Sequence, residues 1–148
     1  MEPSAELEKE VDQFIHIFAR LMGGRLERRA LTISKGEFGL MMFLAEQTDG
    51  VTSSMIQEAM RIGAGGVANL LKSLEKKGYV SKTRDQEDRR ANCVTLTEEG
   101  RGVLKERYEQ VRRAAALYMT QIGLEESRSF NRTLLKILEI SRDTELPD

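Results

Sequence analysis

Between Ile62 and Gly100 the sequence passes from a helical spacing of apolar residues to short strand-like runs and back to a helix start, an order few small folds accommodate. Val67, Leu70, Leu71 and Leu74 recur at i, i+3, i+4 and i+7, which places them on one face of a helix and predicts that this face is buried. Half a revolution away Gly65, Asn69, Lys72 and Lys76 fall into line, a face with one amide, two cations and no acid. Such a face suits the surface of a nucleic acid. Lys76 and Lys77 bring positive charge to the negative end of the helix, and Gly78 tolerates a left-handed cap, so the helix is predicted to stop there.

Two short runs containing β-branched or aromatic residues follow, Tyr79 to Arg84 and Asn92 to Leu96. The polar stretch Asp85-Gln86-Glu87-Asp88-Arg89-Arg90 and then Ala91 separate them, and the whole reads as a two-stranded wing. Thr97 offers a hydroxyl cap and Glu98 and Glu99 suit the first turn of a new helix. The formal charge of the chain is −1, but from Lys72 to Arg90 seven Lys or Arg stand against four acids, so the total conceals a basic patch of the kind phosphate binding needs.

The segments Leu74-Glu75-Lys76-Lys77-Gly78, Asp88-Arg89-Arg90 and Leu96-Thr97-Glu98-Glu99-Gly100, at this spacing, resemble the recognition-helix end, wing tip and following helix start of MarR-type winged helix-turn-helix regulators. Length and element order agree along most of the chain. The resemblance implies a symmetric homodimer that binds double-stranded DNA at a short palindromic operator, most often as a repressor, and usually releases it on sensing a small molecule or oxidant. It also gives Asp88 and Arg90 a pairing role at the wing tip, and implies an effector pocket where dimer helices join the DNA-binding lobe. Phe14, Phe18, Phe38 and Met42 are the candidates for that pocket, and all four are also plain core residues by type.

A chain of 148 residues, 40% hydrophobic and 32% charged, suits a single domain with a real core. Its two prolines, Pro3 and Pro147, leave the interior open to long helices. The expected fold is mainly α with a small two-stranded β-wing: a winged helix-turn-helix lobe over about 34–100, and dimerisation helices over about 5–30 and 101–142. No apolar run approaches the ~20 residues of a membrane span, and the Glu-rich start lacks the features of a signal peptide, so a cytoplasmic protein is expected. One cysteine, Cys93, excludes an intramolecular disulfide and reads as a small apolar filler in a wing strand; one histidine, His16, makes no metal site. No cofactor is expected. No glycine-rich phosphate loop, paired carboxylate site or Ser-His-Asp set is present, so the chain does not read as an enzyme.

Leu7, Val11, Phe14, Ile15, Phe18, Leu21 and Met22 form a near-heptad seam in a first helix predicted over about Ala5 to Arg29, weakened at Gly23-Gly24. Ser34-Lys35-Gly36-Glu37 is a capping-box pattern opening a second helix, which ends near Gln47. Thr52, Ser53 and Ser54 are candidate caps of a short third helix to about Met60, and equally candidates to hold a DNA phosphate. Val103, Leu104, Tyr108, Val111, Ala114, Ala115, Leu117 and Tyr118 mark a long helix to about Gln121, broken at Gly123. Phe130, Leu134, Leu135, Ile137, Leu138 and Ile140 then give the last helix a broad apolar face.

The sequence departs from the family pattern at Gly63-Ala64-Gly65-Gly66, where relatives commonly carry polar side chains that touch bases. Glycine costs about 1 kcal/mol relative to alanine inside a helix, so a frayed or late start is expected. Three readings compete: close backbone approach to the groove around Ala64 and Gly65, readout left to Asn69 and the wing, or weakened recognition. The second is favoured, because Asn69 carries the donor and acceptor that match adenine in the major groove. Arg89 and Arg90 suit a narrow minor groove, with Asp88 to hold one of them, and Lys72, Lys76, Lys82 and Arg84 suit phosphates. The alternative reading is a dimeric winged-helix module that binds a protein partner and has lost operator recognition.

Overall fold

The computed structural model describes residues 4–22, 35–84 and 92–143. In chain order these form α1 (Ala5–Met22), α2 (Lys35–Ala45), α3 (Ser53–Met60), α4 (Ala64–Lys76), β1 (Val80–Arg84), β2 (Asn92–Leu96), α5 (Glu98–Ile122) and α6 (Leu124–Asp143). The fold is mainly helical with one two-stranded antiparallel wing, as the sequence predicts. Two compact units are present, one of residues 22–106 and one of residues 1–21 with 107–148. Ser34, Asp88, Arg89 and Arg90, the Gly23 to Arg29 stretch and Thr144 to Asp148 lie outside the described residues.

In the unit of residues 22–106, Leu40 and Met41 of α2, Ile56 of α3, Leu74 of α4 and Val94 of β2 are among the fully buried side chains. Burying one such side chain contributes about 1.5–3 kcal/mol relative to leaving it in water. β1 pairs with β2 in a register that sets Val80 opposite Leu96 and Lys82 opposite Val94. The other edge of β2 is also occupied, because Val51 and Val94 exchange backbone hydrogen bonds of 3.1 and 2.8 Å. β2 is thus pinned from both sides, and its alternation turns Val94 and Leu96 into the core. Cys93 lies in β2 and is partly exposed.

The junction of α4, β1 and α5 is built from the local signals of the sequence. Gly78 is left-handed at φ 76°, the Tyr79 N–H donates to the Leu74 carbonyl (2.9 Å) and the Gly78 N–H to the Glu75 carbonyl (2.9 Å), which together make a Schellman cap. Thr97 caps α5 by accepting from the Gly100 N–H at 3.0 Å, and its hydroxyl donates to the Gly78 carbonyl at 2.6 Å. One threonine therefore closes the start of α5 and the end of α4.

In the other unit α1 buries Leu7, Val11 and Ile15. Ile17 is buried too, while Phe18 is exposed on this chain, stacked on Phe14 with centroids 5.2 Å apart. Asp12 of α1 accepts from the Tyr108 hydroxyl (2.9 Å) and from Arg112 Nε (3.0 Å), both on α5. Burial first, and then the bond to Asp12, hold the Tyr108 phenol above the ordinary tyrosine range. α6 meets α1 through polar groups: Asn131 is buried and its amide donates to the Glu10 carbonyl (2.8 Å) and to Glu10 Oε2 (2.7 Å). Ser127, also buried, donates to the Gly123 carbonyl at 2.6 Å. Leu117, Tyr118, Ile122, Phe130, Ile137 and Ile140 stay exposed on this chain. Among the described residues no helix is long and apolar enough to cross a membrane.

Candidate nucleic-acid interface

Thr52 stands extended before α3 and its hydroxyl accepts from the Met55 N–H at 3.3 Å, so it is a cap by geometry. Ser53 and Ser54 occupy the first exposed positions of α3. The turn to α4 is short because Arg61 takes a left-handed conformation, φ 52°, at the end of α3. Nothing in the sequence flags that arginine, since non-glycine residues at positive φ favour Asn and Asp.

α4 begins at Ala64 with Gly63 as its N-cap, so Gly65 and Gly66 lie inside the helix; the expected late start does not occur. The Val67 N–H reaches the Gly63 carbonyl at 3.1 Å, closing the first turn, and Val67, Leu71 and Leu74 anchor the helix from its buried side. A Cβ added at Gly63 or Gly65 would meet nothing within 4 Å. Packing of this chain therefore does not demand either glycine. Gly65, Asn69, Lys72 and Lys76 are all exposed, as the half-revolution predicts, and Ala64 is exposed beside them.

The wing adds Lys82 and Arg84, two residues apart on β1 and so on one face of it. That face also carries Val80, which enters the core, so Lys82 is turned toward α4 and its Nζ lies 2.8 Å from Glu75 Oε2. Both side chains are more than a third exposed, so the pair is screened and exchangeable, worth about 0–1 kcal/mol.

Lys77 behaves differently from its neighbour Lys76. It is the C-cap of α4 and donates to both carboxylate oxygens of Glu37, at 2.9 and 2.8 Å. The sequence reading placed Glu37 in a capping box and missed this pair. Glu37 is buried in the first turn of α2 and its partner lies 40 positions away, beyond the reach of any local signal. Of the pocket candidates, Phe38 and Met42 are buried in one unit and Phe14 and Phe18 belong to the other. Among the described residues no cluster of three or more His, Cys, Asp or Glu is arranged to hold a metal ion.

The helix-turn-helix and the first wing strand fall within residues 31–91, which match the model of the MarR family. Over this stretch the chain is similar to the MarR family. Its relatives bear regulator names, not enzyme names. The chain is 31% identical over 103 residues to the uncharacterized HTH-type transcriptional regulator YdgJ of Bacillus subtilis, covering 70% of this chain and 60% of that protein. The structure of S. aureus MepR in a DNA complex is 26% identical, with a TM-score of 0.63 over 72% of this chain and 78% of that one. Streptococcus pneumoniae FabT in complex with DNA has the same fold at 23% identity, TM-score 0.65, covering 77% of this chain and 79% of that one. Within this MarR-type frame, the residues that the sequence motifs quote, Leu74 to Gly78 and Leu96 to Gly100, are those that meet at the Gly78–Thr97 junction.

Proposed function

We propose that this protein is a DNA-binding transcription regulator, acting as a homodimer on a palindromic operator and most often as a repressor. The observation that carries the reading is the exposed face of α4, with Asn69, Lys72 and Lys76 outward and the cations of β1 beside it, on a winged helix of the MarR family. MepR, a relative solved with DNA, supports the same partner class. In this reading α4 enters the major groove, Asn69 reads a base edge, Lys72, Lys76, Lys82 and Arg84 meet phosphates, and Asp88, Arg89 and Arg90 serve the minor groove. Thr52, Ser53 and Ser54 lie at the start of α3 where a phosphate would meet backbone N–H groups, and Ala64 and Gly65 lie where α4 approaches closest.

A second copy of the chain is the partner proposed for the exposed apolar residues of α5 and α6, Leu117, Tyr118, Ile122, Ile137 and Ile140. A two-fold dimer repeats α4 on both half-sites, which is why a palindrome is expected. Release by a small molecule is part of the proposal, and such a molecule acts only through its differential affinity for the DNA-competent state.

Selection of bound duplexes from a random pool, followed by titration of the winner and a scrambled duplex at two salt concentrations, tests the reading. A palindromic winner preferred by about a thousandfold or more supports a specific regulator. Steep salt dependence without a preferred sequence overturns it in favour of a basic module that no longer reads an operator.

A further inference from the structure

Glu37 and Lys77 are 40 positions apart, yet they join the start of α2 to the end of α4. The Glu37 side chain is 3% exposed and the Lys77 side chain 33%. Each charge sits where a helix end favours it, the carboxylate in the first turn of α2 and the ammonium at the C-terminus of α4. α2 is a firm platform, since Leu40, Met41 and Leu44 are all buried. One residue past Lys77 the chain turns at Gly78, whose carbonyl is held by Thr97, and enters the wing at Val80. The apolar stripe of α4 fixes which face is buried, but apolar contacts are non-directional and leave the tilt of the helix soft. A bond from one ammonium to two carboxylate oxygens is directional and charge-assisted, and it acts at the end of α4 from which the wing departs.

Resting on the DNA-binding reading above, we propose that the Glu37–Lys77 pair is a positioning element that sets the angle at which α4 and the wing meet the duplex. Lys77 then takes no phosphate, unlike Lys72 and Lys76 on the exposed side of the same helix. The pair acts as a unit, so losing either member has the same consequence as losing both.

The test uses the full chain with Glu37→Gln, Lys77→Met and the double substitution, each checked by circular dichroism to be folded at the assay temperature. Binding is measured to the duplex selected by the wild-type protein and to its scrambled form across a salt series. Each single substitution is expected to weaken binding to the selected duplex about tenfold, the scale of one mismatched base pair, and to change binding to the scrambled duplex by less than about twofold. The double variant is expected to lose no more than the worse single. The slope of log affinity against log salt is expected to stay at the wild-type value, because no phosphate contact is removed. A merely structural role would weaken both duplexes alike through a smaller folded fraction, and that pattern overturns the proposal. So does a slope reduced by about one for Lys77→Met with wild-type binding by Glu37→Gln, which makes Lys77 a phosphate contact. If the wild-type protein selects no duplex, the DNA-binding reading fails before any substitution is made and takes this inference with it.

Discussion

The carbonyl oxygen of Tyr79 occupies the place where a side chain on Gly100 would begin. The same carbonyl accepts the Thr97 N–H at 3.1 Å, so the first turn of α5 is pressed against the start of the wing. Gly102, two residues on in the same helix, faces open space within 4 Å. Glycine-to-alanine changes at the two positions are therefore expected to act in opposite directions. Gly102→Ala gains helix propensity and stabilises by about 0.5–1 kcal/mol. Gly100→Ala collides with backbone that cannot retreat and costs about 1–3 kcal/mol net. Urea unfolding midpoints shifting the same way for both would contradict this account.

Thr97 serves two elements through one hydroxyl, accepting from Gly100 and donating to Gly78. Thr97→Ala is expected to cost about 1–2 kcal/mol, at the upper end for a cap because the Gly78 carbonyl also loses its donor. Thr97→Ser keeps both bonds and should recover most of the loss in the same unfolding assay.

Tyr108 donates to Asp12 and its phenol is held above the usual tyrosine range, chiefly by burial. The unfolded chain releases this proton near pH 10 while the folded chain retains it, so above about pH 10 the native state binds more protons. Stability from this group is thus fully present below that pH and is lost as pH rises toward the folded value. Unfolding curves collected between about pH 9 and pH 11 should show a decline that is shallower in Tyr108→Phe. A decline of equal steepness in that variant would assign the effect to other groups.

Glu75 holds Lys82 in an exposed pair beside the proposed duplex surface. Glu75→Gln removes an acid facing phosphates and releases Lys82, so DNA affinity should rise, by about threefold to tenfold at low salt. Lys82→Ala should lower affinity on every sequence and reduce the salt slope by about one. Affinity unmoved by either change would take Lys82 out of the interface.

Asn69→Ala is expected to relax base preference at one position of each half-site at a cost of about 1–3 kcal/mol, read by repeating duplex selection with the variant. Arg89→Ala with Arg90→Ala should instead reduce affinity steeply. An unchanged preference profile for Asn69→Ala would leave base reading to backbone near Ala64 and Gly65 and to the wing.

The features legible in the sequence are those whose cause lies within a turn or two of chain. Thr52, Gly78 and Thr97 announce helix ends because a cap is a bond to a neighbour three or so residues away. The stripe of Val67, Leu71 and Leu74 announces a buried face because apolar spacing follows the helical period. The features missed depend on partners far along the chain. Ser127 and Asn131 are polar by type yet buried on α6, where the Glu10 carbonyl and carboxylate of α1 accept from the Asn131 side-chain nitrogen. The near-heptad spacing leaves out Ile17, which this chain buries. A near-heptad pattern does not say which of two adjacent apolar residues faces inward, and only the surface it packs against decides.

Lys76 and Lys77 put the same division in its smallest form. By itself the sequence determined that α4 ends in two cations followed by a left-handed glycine, because cap chemistry and the helix dipole act locally. Which of the two stays outward and which turns to a buried acid was decided by tertiary structure. Adjacent residues on a helix point about 100° apart, and only the packing of α2 brings Glu37 within reach of Lys77.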